Sequence, residues 1–268
     1  AATMQKKDVR ERLVDLGGVA DLKTIRMDGA NVVIGAMVTH ATVAASADVK
    51  KTIPALAELA GGIGDQMVRN MGTLGGSIAN ADPAACYPAA ILGLGATITT
   101  NQRTIAGDSF FTGLYETALK PGELVVSVSF PAAARAAYIK YKQPASRFAL
   151  VGVFVSQGAG GVRVAVAVTG AGACVFRCKP LEDALAQSFT PDAAKAVKVS
   201  ADGLNGDMHG SAAYRAAMIS VMASRAVAAV LARGAPPGRR CVVAMPAPAP
   251  VAVGFVLGVS RRLRASAG

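Results

Sequence analysis

The stretch from Arg69 to Pro88, RNMGTLGGSIANADPAACYP, limits what this chain can become more than any other. Gly72, Gly75 and Gly76 fall within five positions, framed by Asn70, Thr73, Ser77, Asn80 and Asp82, and an apolar run from Ala89 to Ala96 comes next. Glycine lets a backbone take positive φ or lets another group come close to the main chain, and small hydroxyl and amide side chains add donors around it. Such a segment either cradles a phosphate or makes a tight turn before a buried helix, and spacing alone leaves both open. It is neither a GxGxxG fingerprint nor a Walker loop, because no Lys-Ser or Lys-Thr pair follows the glycines.

The chain is 268 residues long, enough to bury a sizeable core and to form two domains. Hydrophobic residues make up 52%, yet no uninterrupted apolar run approaches the roughly 18 to 20 residues that span a bilayer, so the reading is a soluble protein with no transmembrane segment. Ala1 to Arg12 is polar and of mixed charge, unlike a secretory leader. Cys86, Cys174, Cys178 and Cys241 are too few and scattered for a disulfide framework, which fits a cytoplasmic location. Cys174 and Cys178 lack a second pair or a nearby histidine, so no metal site is expected. His40, following Thr39 in a strand-to-helix turn, is read as making a structural hydrogen bond. Net charge is +11, but residues 233 to 268 carry six arginines and no acid, leaving 22 basic against 17 acidic side chains before them. With the excess in the tail and no helix interleaving cations with aromatics, no nucleic-acid partner is expected.

In order, Ala1 to Arg12 reads as the end of a helix, Arg12 to Gly18 and Leu22 to Arg26 as short strands, and Asn31 to Met37 as a strand with a β-branched centre. Thr39 is placed to cap a helix, Val49 to Ala60 has helical apolar spacing, Ala84 to Gly95 reads as a buried helix, and Ala96 to Thr100 as a strand. Arg103 to Ala106 is its hairpin partner, Phe110 and Phe111 pack on that sheet, and Glu123 to Phe130 is a strand ending at Pro131. Ala137 to Lys142, Ala149 to Gln157 and Val162 to Thr169 form an antiparallel sheet. Lys179 to Gln187, Pro191 to Val199 and Ala212 to Ala232 are helices, with Thr190 and Ser211 as caps and Met208, Met218 and Met222 as core fillers. From Gly234, proline-alanine alternation and arginine pairs mark a disordered basic extension or a product of altered reading frame.

The string RNMGTLGGSIANADPAA closely resembles the second flavin-binding segment of the FAD-binding medium subunits of molybdopterin dehydrogenases, the carbon monoxide dehydrogenase and xanthine dehydrogenase family. The resemblance implies an α+β fold: a PCMH-type FAD-binding domain over residues 1–134, lacking its amino-terminal subdomain, then a carbon monoxide dehydrogenase flavoprotein C-terminal-like domain over 135–233 with a three-stranded antiparallel sheet and helices. Residues 234–268 lie beyond it. The family grips FAD with an earlier AGGxxL-type loop as well, and Ala1 to Lys6 resembles the segment just after that loop, so weak FAD retention is expected of this chain.

The resemblance further implies that Gly72, Thr73, Leu74, Gly75, Gly76 and Ser77 meet the flavin diphosphate and ribityl chain, with Asn80 and Asp82 in the same motif. Asp82 is either a ligand to cofactor hydroxyls or a cap before Pro83. Val126 is implied at the adenine end through its backbone, Ile63 in the pocket lining, and Lys142 as a lysine reaching the cofactor. Phe148 either lies near the isoalloxazine ring or packs in the core. Relatives often carry an acidic residue where Cys86 stands.

No nucleophile and base pair is offered by the sequence, and no catalytic residue is assigned, because a flavin does its own chemistry while the protein positions it. The family resemblance implies an electron-transfer oxidoreductase subunit, active in complex with an iron-sulfur small subunit and a molybdopterin large subunit that hold those centres. No iron-sulfur cysteine pattern occurs in this chain. The alternative is a non-catalytic scaffold that keeps the fold without bound FAD.

Overall fold

The computed structural model describes residues 14–133, 135–158 and 164–234. The helix expected over Ala1 to Arg12, the connection between the strands expected over Ala149 to Gln157 and Val162 to Thr169, and the tail from 235 onward therefore lie outside or largely outside the described residues. Strands β1 (Ile25–Asp28) and β2 (Asn31–Gly35) form a hairpin closed at Gly29, whose φ of 59° suits a residue without a Cβ. No strand occupies residues 14–18, where the Asp15 carboxylate accepts the Gly17 amide at 2.7 Å and closes a turn. Ala20–Lys23 is a 3-10 turn, so the strand expected from Leu22 begins at Ile25 instead.

Helix α1 (His40–Ala45) starts at Thr39, whose hydroxyl accepts the Thr42 amide as expected of a cap. The single helix read over Val49 to Ala60 is two, α2 (Ala47–Thr52) and α3 (Pro54–Gly61). Pro54 has no N–H to donate and pushes Ile53 out of the helical region, to φ −139° and ψ 72°. Then come α4 (Gln66–Met71), α5 (Leu74–Asn80) and α6 (Tyr87–Leu94).

Strands β3 (Thr97–Thr100), β4 (Thr104–Ala106) and β7 (Val125–Pro131) complete a five-stranded antiparallel sheet in the order β1-β2-β7-β3-β4, while the short β5 (Phe111–Gly113) and β6 (Glu116–Thr117) pair beside it. Glu123 locks the β3–β4 turn, accepting from Arg103 at 3.0 Å and from the Thr100 hydroxyl at 2.7 Å; these bonds hold its carboxyl at about 2.

Strands β8 (Arg135–Lys142), β9 (Ala149–Gln157) and β10 (Val164–Thr169) are the three expected long antiparallel strands, and the two-residue β11 (Phe176–Arg177) adds an edge to make a four-stranded sheet. Helices α7 (Lys179–Gln187), α8 (Pro191–Ala196) and α9 (Ala212–Gly234) come after it, with Thr190 and Ser211 accepting from Ala193 and Tyr214 as expected.

All of α6 is buried, which explains why it is apolar around its whole circumference. It touches both sheets: its Ile91 shares a core with Ile98 of β3 and Val128 of β7, the Ser156 hydroxyl of β9 donates to the Gly93 carbonyl at 2.5 Å, and the Thr169 hydroxyl of β10 donates to the Pro83 and Ala85 carbonyls just before it. Helix α9 is long and apolar enough to cross a membrane by length and composition. Its Ile219, Met222, Ala223, Ala226, Val227 and Val230 are instead buried in the core that also holds Val151, Val153 and Val155 of β9, so it is a core helix.

Candidate functional site

The glycine-rich segment is neither an open loop nor a positive-φ turn: it is the start of α5. Thr73 is the N-cap, its hydroxyl accepting the Gly76 amide at 3.1 Å. None of Gly72, Gly75 and Gly76 has positive φ, so their role is close approach. A Cβ on Gly75 would stand 2.5 Å from the Ala36 Cβ and 2.8 Å from its carbonyl oxygen, and one on Gly72 would stand 2.5 Å from Nε2 of His40. The Gly75 amide donates to Ala36 at 2.8 Å and the Leu74 amide to Val38 at 3.0 Å, hinging the helix onto the chain leaving β2. The Ala36 amide in turn donates to the Val126 carbonyl, which ties β7 to the same point.

The inner glycines therefore serve the fold, while the outer edge of the helix start faces solvent at Gly76. Gly76 is exposed, and a Cβ there would meet only the Thr73 hydroxyl. Ser77 and Asn80 side chains make no hydrogen bond among the described residues. Asp82 acts as a local cap: its Oδ1 accepts the Ala84 amide at 2.8 Å, and Oδ2 faces the Tyr115 hydroxyl at 3.4 Å.

Three cations gather around Gly64. Arg69 Nη1 donates to the Ile63 and Gly64 carbonyls at 2.9 and 3.1 Å, Arg147 donates to the same Gly64 carbonyl at 3.4 Å, and Lys140 Nζ donates to the Arg147 carbonyl at 2.9 Å. Among the described residues none of the three makes an ion pair with a carboxylate. Arg147 sits at φ 61°, a costly conformation for a non-glycine residue, in the turn that Gln143 organises through bonds to Ala145 and Ser146.

Phe148, ending that turn, is 49% exposed, so core packing is excluded for it. Lys142 is exposed opposite Ala149, past a bulge in β8, and makes no hydrogen bond among the described residues. Lys140, two residues earlier, is the lysine that reaches the segment after α5, touching Cys86 Sγ at 3.3 Å. The sequence gives no sign of Lys140, Arg69 and Arg147 as a group, because their proximity depends on the β8–β9 turn folding back over Gly64. Ile63 packs partly buried against the first core.

His40 does not make the side-chain hydrogen bond expected of it. Its ring lies against Gly72 and 5.3 Å from the Tyr87 ring, with Nδ1 buried and unpartnered. Burial first, and the Arg69 guanidinium second, lower its pKa from 6.5 to about 4. A histidine depressed on folding contributes stability that is full above 6.5 and is lost as pH falls towards 4. His40→Leu is expected to flatten the thermal-midpoint profile across that window, removing an acid sensitivity on the order of 3 kcal/mol.

A helix start that spends its inner amides on the sheet and turns Gly76, Ser77 and Asn80 outward suits a bound anionic cofactor more than a reacting substrate. Among the described residues no group of three metal-ligating side chains occurs. The cations without carboxylate partners match the charge of a dinucleotide diphosphate, so the residues present fit FAD. The class defined is a cofactor-binding α+β protein.

Comparison with known proteins fixes the family. Residues 1–133 match the family described as FAD binding domain in molybdopterin dehydrogenase. The chain is 34% identical over 237 residues to the carbon monoxide dehydrogenase medium chain of Hydrogenophaga pseudoflava, covering 83% of each. It is 32% identical over 239 residues to the 6-hydroxypseudooxynicotine dehydrogenase complex subunit alpha of Paenarthrobacter nicotinovorans, covering 84% of this chain and 81% of that one. A crystal structure of the Cu,Mo-CO dehydrogenase superposes with a TM-score of 0.72 at 30% identity, over 82% of each chain. The chain belongs to the FAD-binding medium subunits of the molybdopterin dehydrogenase family, oxidoreductase subunits of multi-subunit enzymes.

Proposed function

We propose that this chain is the FAD-dependent electron-transfer subunit of a molybdenum-containing hydroxylase of the carbon monoxide dehydrogenase type. It receives electrons from iron-sulfur clusters on a small subunit, reduced by a molybdopterin large subunit, and passes them to an external acceptor. The observation that carries this reading is the α5 helix start, where Gly76 is exposed and the Ser77 and Asn80 side chains make no hydrogen bond among the described residues, in a chain that also gathers Arg69, Arg147 and Lys140 around Gly64. When bound, FAD would supply the redox chemistry; Gly76, Ser77, Asn80 and Asp82 would hold it and the cations would offset its charge. Val126 would buttress the site through Ala36, with Lys142 and Phe148 on its rim. A cytoplasmic location belongs to the same reading, supported by the free thiols of Cys86, Cys174 and Cys178.

The test is the visible absorption spectrum of the purified chain, alone and assembled with its small and large subunits, after incubation with FAD and desalting. Weak flavin retention by the chain alone, and flavin bands near stoichiometric occupancy in the assembled complex that are bleached by reductant and restored by an acceptor, are the expected result. An assembled complex that never retains flavin overturns the proposal and leaves the scaffold reading, which the inward-facing amides of Leu74 and Gly75 would then explain.

A further inference from the structure

Cys86 is 5% exposed at the entry to α6, and its sulfur receives a hydrogen bond from Lys140 Nζ on β8 at 3.3 Å. Two phenols stand on either side in sequence and space: Tyr87 follows Cys86 and is fully buried, Tyr138 precedes Lys140 by two residues on β8, and both hydroxyls are buried with no hydrogen-bond partner. The Lys140 amine thus lies between the Cys86 sulfur and the Arg147 carbonyl, to which it also donates at 2.9 Å, and it is the hydrogen-bond partner of that sulfur among the described residues. A lysine donor beside a cysteine stabilises the negative charge that a sulfur nucleophile carries.

We propose that Cys86 and Lys140 form a reversible covalent sulfur–nitrogen crosslink when the protein meets a peroxide. The thiolate attacks the peroxide, the O–O bond breaks, sulfur loses two electrons, and a sulfenic acid and one water result. The Lys140 amine, having given a proton to solvent, then displaces the sulfenic hydroxyl. The S–O bond breaks, the S–N bond forms, and a second water leaves with no further oxidation. Hydrogen peroxide is barely larger than water, and the Lys140 amine beside the sulfur is bonded to the exposed Arg147 turn, so the pair lies close to solvent. The crosslink would fasten the segment following α5 to β8 and remove one of the three cations beside Gly64. Cys174 and Cys178, also free thiols, have no lysine donor among the described residues, so the chemistry is specific to Cys86.

The experiment treats the full chain, free of flavin, with stoichiometric hydrogen peroxide and reads intact mass and joined peptides. Adding the peroxide makes the outcome independent of the electron-transfer reading. Loss of two hydrogens, with a peptide containing Cys86 joined to one containing Lys140 and recovery on adding dithiothreitol, is the expected result. Lys140→Arg keeps a cation at the sulfur but offers no amine, and should convert the two-hydrogen loss into oxygen adducts on Cys86. Oxygen adducts on wild-type Cys86 with no joined peptide, or an unmodified Cys86 while Cys174 and Cys178 oxidise, would overturn the proposal.

Discussion

Gly75→Val should unseat α5 and abolish flavin retention, whereas Gly76→Ala one position on should leave the fold intact. The new Cβ at 75 would lie 2.5 Å from the Ala36 Cβ and 2.8 Å from its carbonyl oxygen, and that atom is backbone, not a side chain that can swing aside. Relief requires moving the helix off the sheet, which lengthens the Gly75-to-Ala36 and Leu74-to-Val38 hydrogen bonds, 2.8 and 3.0 Å in the native protein. Overpacking of this kind costs about 1–3 kcal/mol, and each of the two weakened hydrogen bonds about 1 kcal/mol more, so a fall in thermal midpoint of roughly 6–20 °C is expected. At Gly76 the Cβ would meet only the Thr73 hydroxyl, and alanine is the better helix former. Its stability should change by less than about 1 kcal/mol while FAD retention falls, because the proposed site lies along the outer edge of the helix. Calorimetry on both variants, read beside flavin absorbance after desalting, separates the two roles; equal losses of stability would show that the two glycines are not divided between fold and ligand.

Arg215→Met should destabilise the second sheet by about 3–5 kcal/mol, the usual cost of removing one partner from a buried charged network. Arg215 is buried on α9 and donates to the Leu150 carbonyl at 2.7 Å, the Gly170 carbonyl at 2.8 Å and the Asp207 carboxylate at 2.7 Å. Methionine fills much the same volume but strands two carbonyls away from water. The effect should reach the candidate site, because the Gly170 amide donates to the Pro83 carbonyl at 2.7 Å, next to Asp82, and Leu150 is two residues from Phe148. Chemical denaturation should show the loss as a lower midpoint at unchanged slope, and Arg215→Lys should recover only part of it, since an ammonium cannot span three acceptors in one plane. A variant as stable as the wild type would show that water replaces the guanidinium at no cost.

The glycine-rich motif, the all-apolar α6 and the strands β8 to β10 were legible in the sequence because each depends on local chemistry: residue type, period and capping. The family could be recognised for the same reason, since the motif RNMGTLGGSIANADPAA is continuous in the chain. Other readings failed where a local competitor intervened, as when Pro54 split one expected helix into two and the Asp15 turn replaced a strand. What the glycines do was also out of reach, because the reason Gly75 lacks a side chain is Ala36, thirty-nine positions earlier. Only the tertiary structure could decide that Lys140 and not Lys142 meets Cys86: the two share one strand, and the turn back into β9 selects between them. The three cations around Gly64 come from segments more than seventy residues apart, so their convergence depends on which surfaces the two sheets bury. Local pattern thus determined the elements and the family, and long-range packing determined which side chains face one another across the site.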